Sequence, residues 1–217
     1  MHPALFFDLD GTLTDSGPGI MNCAQLALEA YGIQAPREAL RTFVGPPLRV
    51  SFARFGVPEG ELEHAIARFR GRYQTVGKFE NFPYPGIPGL LEQLQQEGFP
   101  LYVATSKPEV TAKEILSHFH LDGYFLEICG ATMDSSRENK ADVIAYLLGK
   151  TAGAGHVLMI GDTDYDVLGA AAHGIPTIGV SWGYGDVHSM EAAGALAVVD
   201  TPQALYTQVC AGISRQK

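Results

Sequence analysis

From Ile87 onward, short apolar runs alternate with segments of helical pattern, and that alternation leaves few folds open. Ile87–Glu97 reads as a helix ended by Gly98, Leu101–Ala104 as a strand, Pro108–Phe119 as a helix and Phe125–Cys129 as a strand. Lys140–Leu148, Tyr165–His173 and Pro202–Cys210 continue the helices. His156–Ile160 and Pro176–Val180 continue the strands, and Ala197–Val199 reads as a short edge strand. Continuous apolar strands separated by helices predict a doubly wound α/β fold, a parallel sheet covered on both faces. Functional groups in such sheets gather beyond the carboxyl ends of the strands.

The apolar run that starts at Ala4 is one more buried strand, and it ends in Asp8-Leu9-Asp10-Gly11-Thr12. Asp8 and Asp10 have period-two spacing and point to one side. Two carboxylates so placed repel unless a positive charge sits between them. An acidic turn is the ordinary explanation of Asp before Gly. Two further strand ends decide against it. One ends in Thr105-Ser106-Lys107, the other in Gly161-Asp162-Thr163-Asp164-Tyr165-Asp166.

A parallel sheet places these three ends on one rim. Asp8, the Asp10 main-chain carbonyl and Asp162 supply the oxygens that Mg²⁺ takes. Thr105 can donate to a phosphate oxygen, with Ser106 beside it. Asp166, one helical turn after Asp162, orients a water ligand or a lysine. Two lysines compete to neutralise the phosphate and Asp8: Lys140, at a helix start, and Lys107, just past the second strand.

Between Ser16 and Glu80 no segment looks like a strand. Ser16 is placed to cap the first of about four helices, and Gly45-Pro46-Pro47 and Gly56 punctuate the block. The expected division is a core of residues 1–15 and 81–217 and a helical cap of residues 16–80, joined by linkers near Asp15–Pro18 and Glu80–Gly86. The insert carries eight Lys or Arg against six acids, the rest seven against eighteen. A weakly basic insert on an acidic body suits an anionic substrate, with Arg49 and the pair Arg68 and Arg72 as candidate grips.

The net charge of −9 argues against nucleic acid or anionic membranes as partners. No apolar run reaches the ~18 residues of a membrane span, and the first residues do not read as a signal peptide. Three cysteines without a Cys-x-x-Cys spacing fit a reducing compartment, hence the cytoplasm. Monomer and homodimer are both compatible with the sequence.

With these residues in view the chain resembles the haloacid dehalogenase superfamily over nearly its whole length. Asp8-Leu9-Asp10-Gly11-Thr12-Leu13 is similar to the first motif of that family, Thr105 lies in the second, Lys140 fits the third and Gly161-Asp162-x-x-x-Asp166 the fourth. Ala141 follows the lysine where many relatives have proline. The helical insert after the first motif is similar to the small α-helical cap of the phosphoglycolate phosphatase branch. The resemblance implies an Mg²⁺-dependent phosphatase in which Asp8 forms an aspartyl phosphate and Asp10 serves as acid and then base. The implied substrate is a small phosphorylated metabolite, phosphoglycolate first and nucleoside monophosphates second. A sugar-phosphate mutase and a silent protein-binding scaffold are the alternatives.

Overall fold

The computed structural model describes residues 2–132, 134, 136–151 and 156–214. In chain order the elements are β1 (Ala4–Phe7), β2 (Thr14–Asp15), α1 (Gly17–Glu29), α2 (Arg37–Leu40), α3 (Leu48–Arg54), α4 (Leu62–Thr75) and β3 (Phe82–Pro83). There follow α5 (Ile87–Gln96), β4 (Leu101–Pro108), α6 (Glu109–His118), β5 (Glu127–Ala131), α7 (Lys140–Lys150) and β6 (Val157–Gly161). The chain closes with α8 (Asp164–Ala171), β7 (Thr177–Val180), α9 (Val187–Ala192), β8 (Ala197–Val199) and α10 (Pro202–Ser214).

It divides into two compact units, Met1–Thr14 with Pro83–Lys217, and Asp15–Phe82. The first holds a six-stranded parallel sheet in the order β5-β4-β1-β6-β7-β8. Strand alternation sorts its core into two layers. Leu5 and Phe7 of β1 pack with Val103, Ile160, Leu91 and Leu116, on the side covered by α5, α6 and α10. Ala4 and Phe6 face the other way, with Met159, Val143, Ile144, Leu147 and Ala170, on the side covered by α7 and α8. Truncating a ring as buried as Phe7 costs ~3–5 kcal/mol.

The second unit buries one stripe of each main helix. On α4 the stripe is Leu62, Ala65, Ile66, Phe69 and Tyr73, spaced by three or four residues. It meets Cys23, Ala24, Ala27 and Leu28 of α1 and Phe52 of α3.

Two local expectations need correction, the cap at Ser16 and the end of β4. Ser16 stands at the cap position of α1, but its side chain makes no capping bond, because its backbone is already helical at φ −84°, ψ −7°. At the expected linker Asp15–Pro18, Asp15 ends β2, Ser16 follows and α1 opens at Gly17, with Pro18 in the first turn, where its missing N–H costs nothing. Strand β4 runs on through Pro108 because a register shift between Ala104 and Pro108 carries Thr105, Ser106 and Lys107 in extended form.

Candidate active site

Strands β4, β1 and β6 are neighbours at the centre of the sheet, and β1 pairs in parallel with both of the others. Their carboxyl ends lie side by side. Asp8 continues the β1 ladder, its N–H donating to the Ile160 carbonyl at 2.9 Å. By alternation its side chain lies on the Ala4 and Phe6 side, the side covered by α7 and α8. Both helices begin at this rim and deliver a charged residue in their first turn.

From α7 comes Lys140. Its Nζ lies 2.8 Å from Asp8 Oδ1 and 2.7 Å from Asp166 Oδ1, and donates to the Ala104 carbonyl at 2.9 Å. Asn139 fixes the start of that helix by accepting from the Asp142 N–H. From α8 comes Asp166, which closes a capping box with Thr163. Its Oδ2 accepts from the Thr163 N–H at 3.0 Å and hydroxyl at 2.8 Å. Thus one carboxylate caps a helix through one oxygen and holds a buried lysine through the other.

The third carboxylate, Asp162, is only 1% exposed. Its Oδ1 accepts from the Thr12 hydroxyl at 3.1 Å and its Oδ2 from the Tyr184 N–H at 2.9 Å. Two glycines make room for it. A Cβ on Gly11, whose φ is +84°, would stand 2.1 Å from Asp162 Oδ2, and one on Gly183 would stand 2.4 Å from the same atom. The Gly183-Tyr184-Gly185 turn, which looks in sequence like a flexible loop, therefore holds Asp162 in place. Trp182 anchors that turn by donating from its indole N–H to the Thr12 carbonyl at 3.1 Å.

Carboxylate oxygens of Asp8, Asp162 and Asp166 lie within 4.8 Å of one another. Burial pushes Asp8 up to about 6; Lys140 opposes the rise and the Asp166 charge adds to it. Burial, then the charges of Asp166 and Asp8, push Asp162 up to about 8. Burial works against the Lys140 ammonium, but Asp166 and Asp8 more than offset it and hold its pKa above the lysine norm. The site is short of positive charge. Its donors are all hard oxygens, and Asp166 is occupied by Thr163 and Lys140. Asp8, Asp162 and Asp166 together could hold a hard divalent cation.

The Asp10 carboxylate does not join that cluster. Its Oδ2 lies 2.6 Å from the Nζ of Lys107. The two competing lysines are thereby sorted, Lys140 beside Asp8 and Lys107 beside Asp10. Thr105 is buried, and its hydroxyl oxygen accepts from the Lys107 N–H at 3.2 Å, which leaves the hydroxyl proton to donate. Ser106 next to it is exposed on the same rim.

A model described as haloacid dehalogenase-like hydrolase matches residues 5–180, a stretch that contains every rim residue named so far except Gly183, Tyr184, Gly185 and Trp182. The chain belongs to the haloacid dehalogenase-like hydrolases. Within that family it is 43% identical to a 5′-nucleotidase of Pseudomonas aeruginosa over 88% of each chain. It is 44% identical to the tyrosine-protein kinase PtkA of Mycobacterium tuberculosis, over 83% of this chain and 62% of that protein. Phosphoglycolate phosphatases are more distant, at 32% identity for the Agrobacterium fabrum protein over 88% of this chain and 85% of that one. A crystal structure of a predicted phosphatase from Clostridium acetobutylicum superposes with a TM-score of 0.87 at 39% identity, covering 97% of this chain and 99% of that one. The chain is a phosphatase of the haloacid dehalogenase type, with the six-stranded Rossmann-like sheet of that family.

Not every expected substrate grip of this phosphatase is open. In the helical unit Arg49 is held by Glu59 at 2.7 Å and Glu63 at 2.6 Å. Arg72 donates through both terminal nitrogens to Glu80, at 2.6 and 2.8 Å. Among the described residues no helix is long and apolar enough to cross a membrane.

Proposed function

We propose that this phosphatase hydrolyses small phosphomonoesters with the help of Mg²⁺, through a phosphoryl group carried on Asp8. The observation that carries the reading is the sorting of the two rim carboxylates: Asp8 at 2.8 Å from Lys140, Asp10 at 2.6 Å from Lys107. Lys140, 2.8 Å from Asp8, opposes the rise that burial imposes on its pKa and so favours the ionised, attacking form. An Asp8 oxygen forms a bond to phosphorus, and the ester P–O bond breaks. The departing oxygen takes its electron pair and a proton from Asp10. Asp10 then removes a proton from water, which attacks the phosphorus of the aspartyl phosphate and releases Asp8. Lys140 and the Thr105 hydroxyl stabilise the charge on the transferring group. Bound Mg²⁺, held by Asp8, Asp162 and the Asp10 main-chain oxygen, would neutralise phosphate charge.

In this reading the helical unit is the cap that selects the substrate, which is a small phosphorylated metabolite. Nucleoside monophosphates come ahead of phosphoglycolate. The relative named 5′-nucleotidase is the more similar one, and the Arg49 guanidinium is already engaged by two glutamates. A role for Arg49 in gripping a substrate carboxylate requires it to leave them. A cytoplasmic location completes the proposal, supported by the free thiols Cys23, Cys129 and Cys210.

The test is phosphate release from a panel of nucleotides, phosphoglycolate and p-nitrophenyl phosphate, with Mg²⁺ or EDTA, for the parent and Asp8→Asn. Release that survives Asp8→Asn at the parental rate would sink the proposal.

A further inference from the structure

Lys107 has a side chain only 6% exposed, and its Nζ lies 2.6 Å from Asp10 Oδ2. The backbone is shaped to put it there. Beyond Ala104 the pairing of β4 with β5 slips, and resumes only at Pro108 opposite Ala131. The slip brings the Lys107 carbonyl close to β5 at Gly130, where a Cβ would stand 2.4 Å from that oxygen. Bulges of this kind re-aim side chains beside active sites.

The other oxygen of the same carboxyl, Asp10 Oδ1, is buried and accepts no hydrogen bond in the structure. With Oδ2 fixed on Lys107, rotation of the carboxyl is blocked and Asp10 is held in one orientation. We infer that Lys107 is a positioning residue: it pins Asp10 through Oδ2 so that the carboxyl keeps one orientation while it hands its proton to the leaving oxygen of the ester. The inference rests on the phosphomonoesterase reading given above and adds to it the division of labour between the two lysines. Lys140 serves the attacking carboxylate, and Lys107 serves the proton donor.

Leaving-group chemistry separates a positioning role from a plain cationic one. An alkoxide cannot leave without a proton, whereas 2,4-dinitrophenolate leaves unaided; kcat/KM ends at departure of the leaving group, so only for the first ester does it depend on how Asp10 is held, the later attack of water being common to both. General acid catalysis is worth ~10²–10⁴-fold. The experiment compares kcat/KM for glycerol 2-phosphate and 2,4-dinitrophenyl phosphate in the full chain, Lys107→Met and Lys107→Arg. Lys107→Met should lower the glycerol phosphate value by roughly 100-fold, as loss of most of that acid catalysis, and leave the dinitrophenyl value within a small factor of the parent. Lys107→Arg should restore part of the first. The dinitrophenyl activity doubles as the control for folding, and if Lys107→Met does not fold, Lys107→Gln and Lys107→Arg carry the comparison. Equal losses on both esters, or no loss on either, overturn the inference while leaving the phosphatase reading intact. A parent enzyme that releases phosphate from neither ester and from none of the nucleotides overturns both.

Discussion

Lys140 Nζ sits 2.8 Å from Asp8 Oδ1, both groups being buried at the joint of β1 and α7. This contact ties the nucleophile candidate to a residue 132 positions away in sequence, and the charge balance of the site hangs on it. Lys140→Met keeps the length of the side chain and deletes the charge. It strands two carboxylates, Asp8 and Asp166, at a cost of ~3–5 kcal/mol. Loss of charge stabilisation on the transferring group lowers kcat by ~10²–10³. Urea unfolding and steady-state assay of the variant check both, and a variant that keeps parental turnover contradicts the role given to Lys140.

The raised carboxyls give stability a pH dependence of definite sign. Asp8 and Asp162 bind protons more tightly folded, at about 6 and about 8, than the ordinary aspartate value of 3.8. Between those limits the unfolded chain holds fewer protons than the folded one, so stability falls as pH rises. The contribution is fully present below pH 3.8 and is lost by the time pH has passed about 8. Cation-free protein should therefore show a Tm that declines from pH 5 to pH 8. Added Mg²⁺ should raise Tm most at the upper end, where the two carboxylates are most ionised. A Tm that climbs over this range without cation, or Mg²⁺ that shifts nothing at pH 8, contradicts the placement of charge.

Thr163 and Asp166 hold each other across the first turn of α8. Thr163→Ala removes one hydroxyl donor and costs ~1 kcal/mol as a lost cap. Asp166 then loses one of its two donors from Thr163 and is held less firmly beside Lys140, so turnover should fall together with stability. Thr163→Ser keeps the hydroxyl and should keep both. Chemical denaturation and assay of the pair provide the check, and serine behaving like alanine argues against the capping box as the link.

Gly183 has no spare room. A Cβ there would meet Asp162 Oδ2 at 2.4 Å and the Gly11 carbonyl at 2.5 Å. Gly183→Ala must push Asp162 off its two donors. Disturbing the groups that orient a metal ligand costs ~10–100-fold in affinity. Titrating the Mg²⁺-induced Tm shift should show that loss, and an unchanged titration means that Asp162 does not bind the cation.

In the helical unit Arg49 is half-exposed between Glu59 and Glu63. Exposed pairs contribute ~0–1 kcal/mol, so Arg49→Ala should barely alter stability. If Arg49 exchanges those partners for a substrate carboxylate, KM rises for phosphoglycolate and not for p-nitrophenyl phosphate. Equal effects on both substrates remove Arg49 from substrate recognition.

The sequence by itself determined the alternating architecture and the three strand ends. Strand period and helical period are local, and a parallel sheet sends all its carboxyl ends to one rim whatever the details. Asp8, Asp10, Thr105, Asp162 and Asp166 could therefore be picked out before any contact was known. Pairing of charges was not legible in this way. Lys107 lies in the extended end of β4 and Lys140 opens α7, and neither position says which carboxylate its side chain reaches. That depends on a slip in β4 beside Gly130 and on which face of the sheet α7 covers. Tertiary structure also turned the Gly183-Tyr184-Gly185 segment from a loop into the clamp on Asp162, and bound Arg49 and Arg72 to neighbouring glutamates. Periodicity fixes which side of its own element a residue faces, but a salt bridge needs two elements to meet within about 3 Å, and only the packed chain sets that distance.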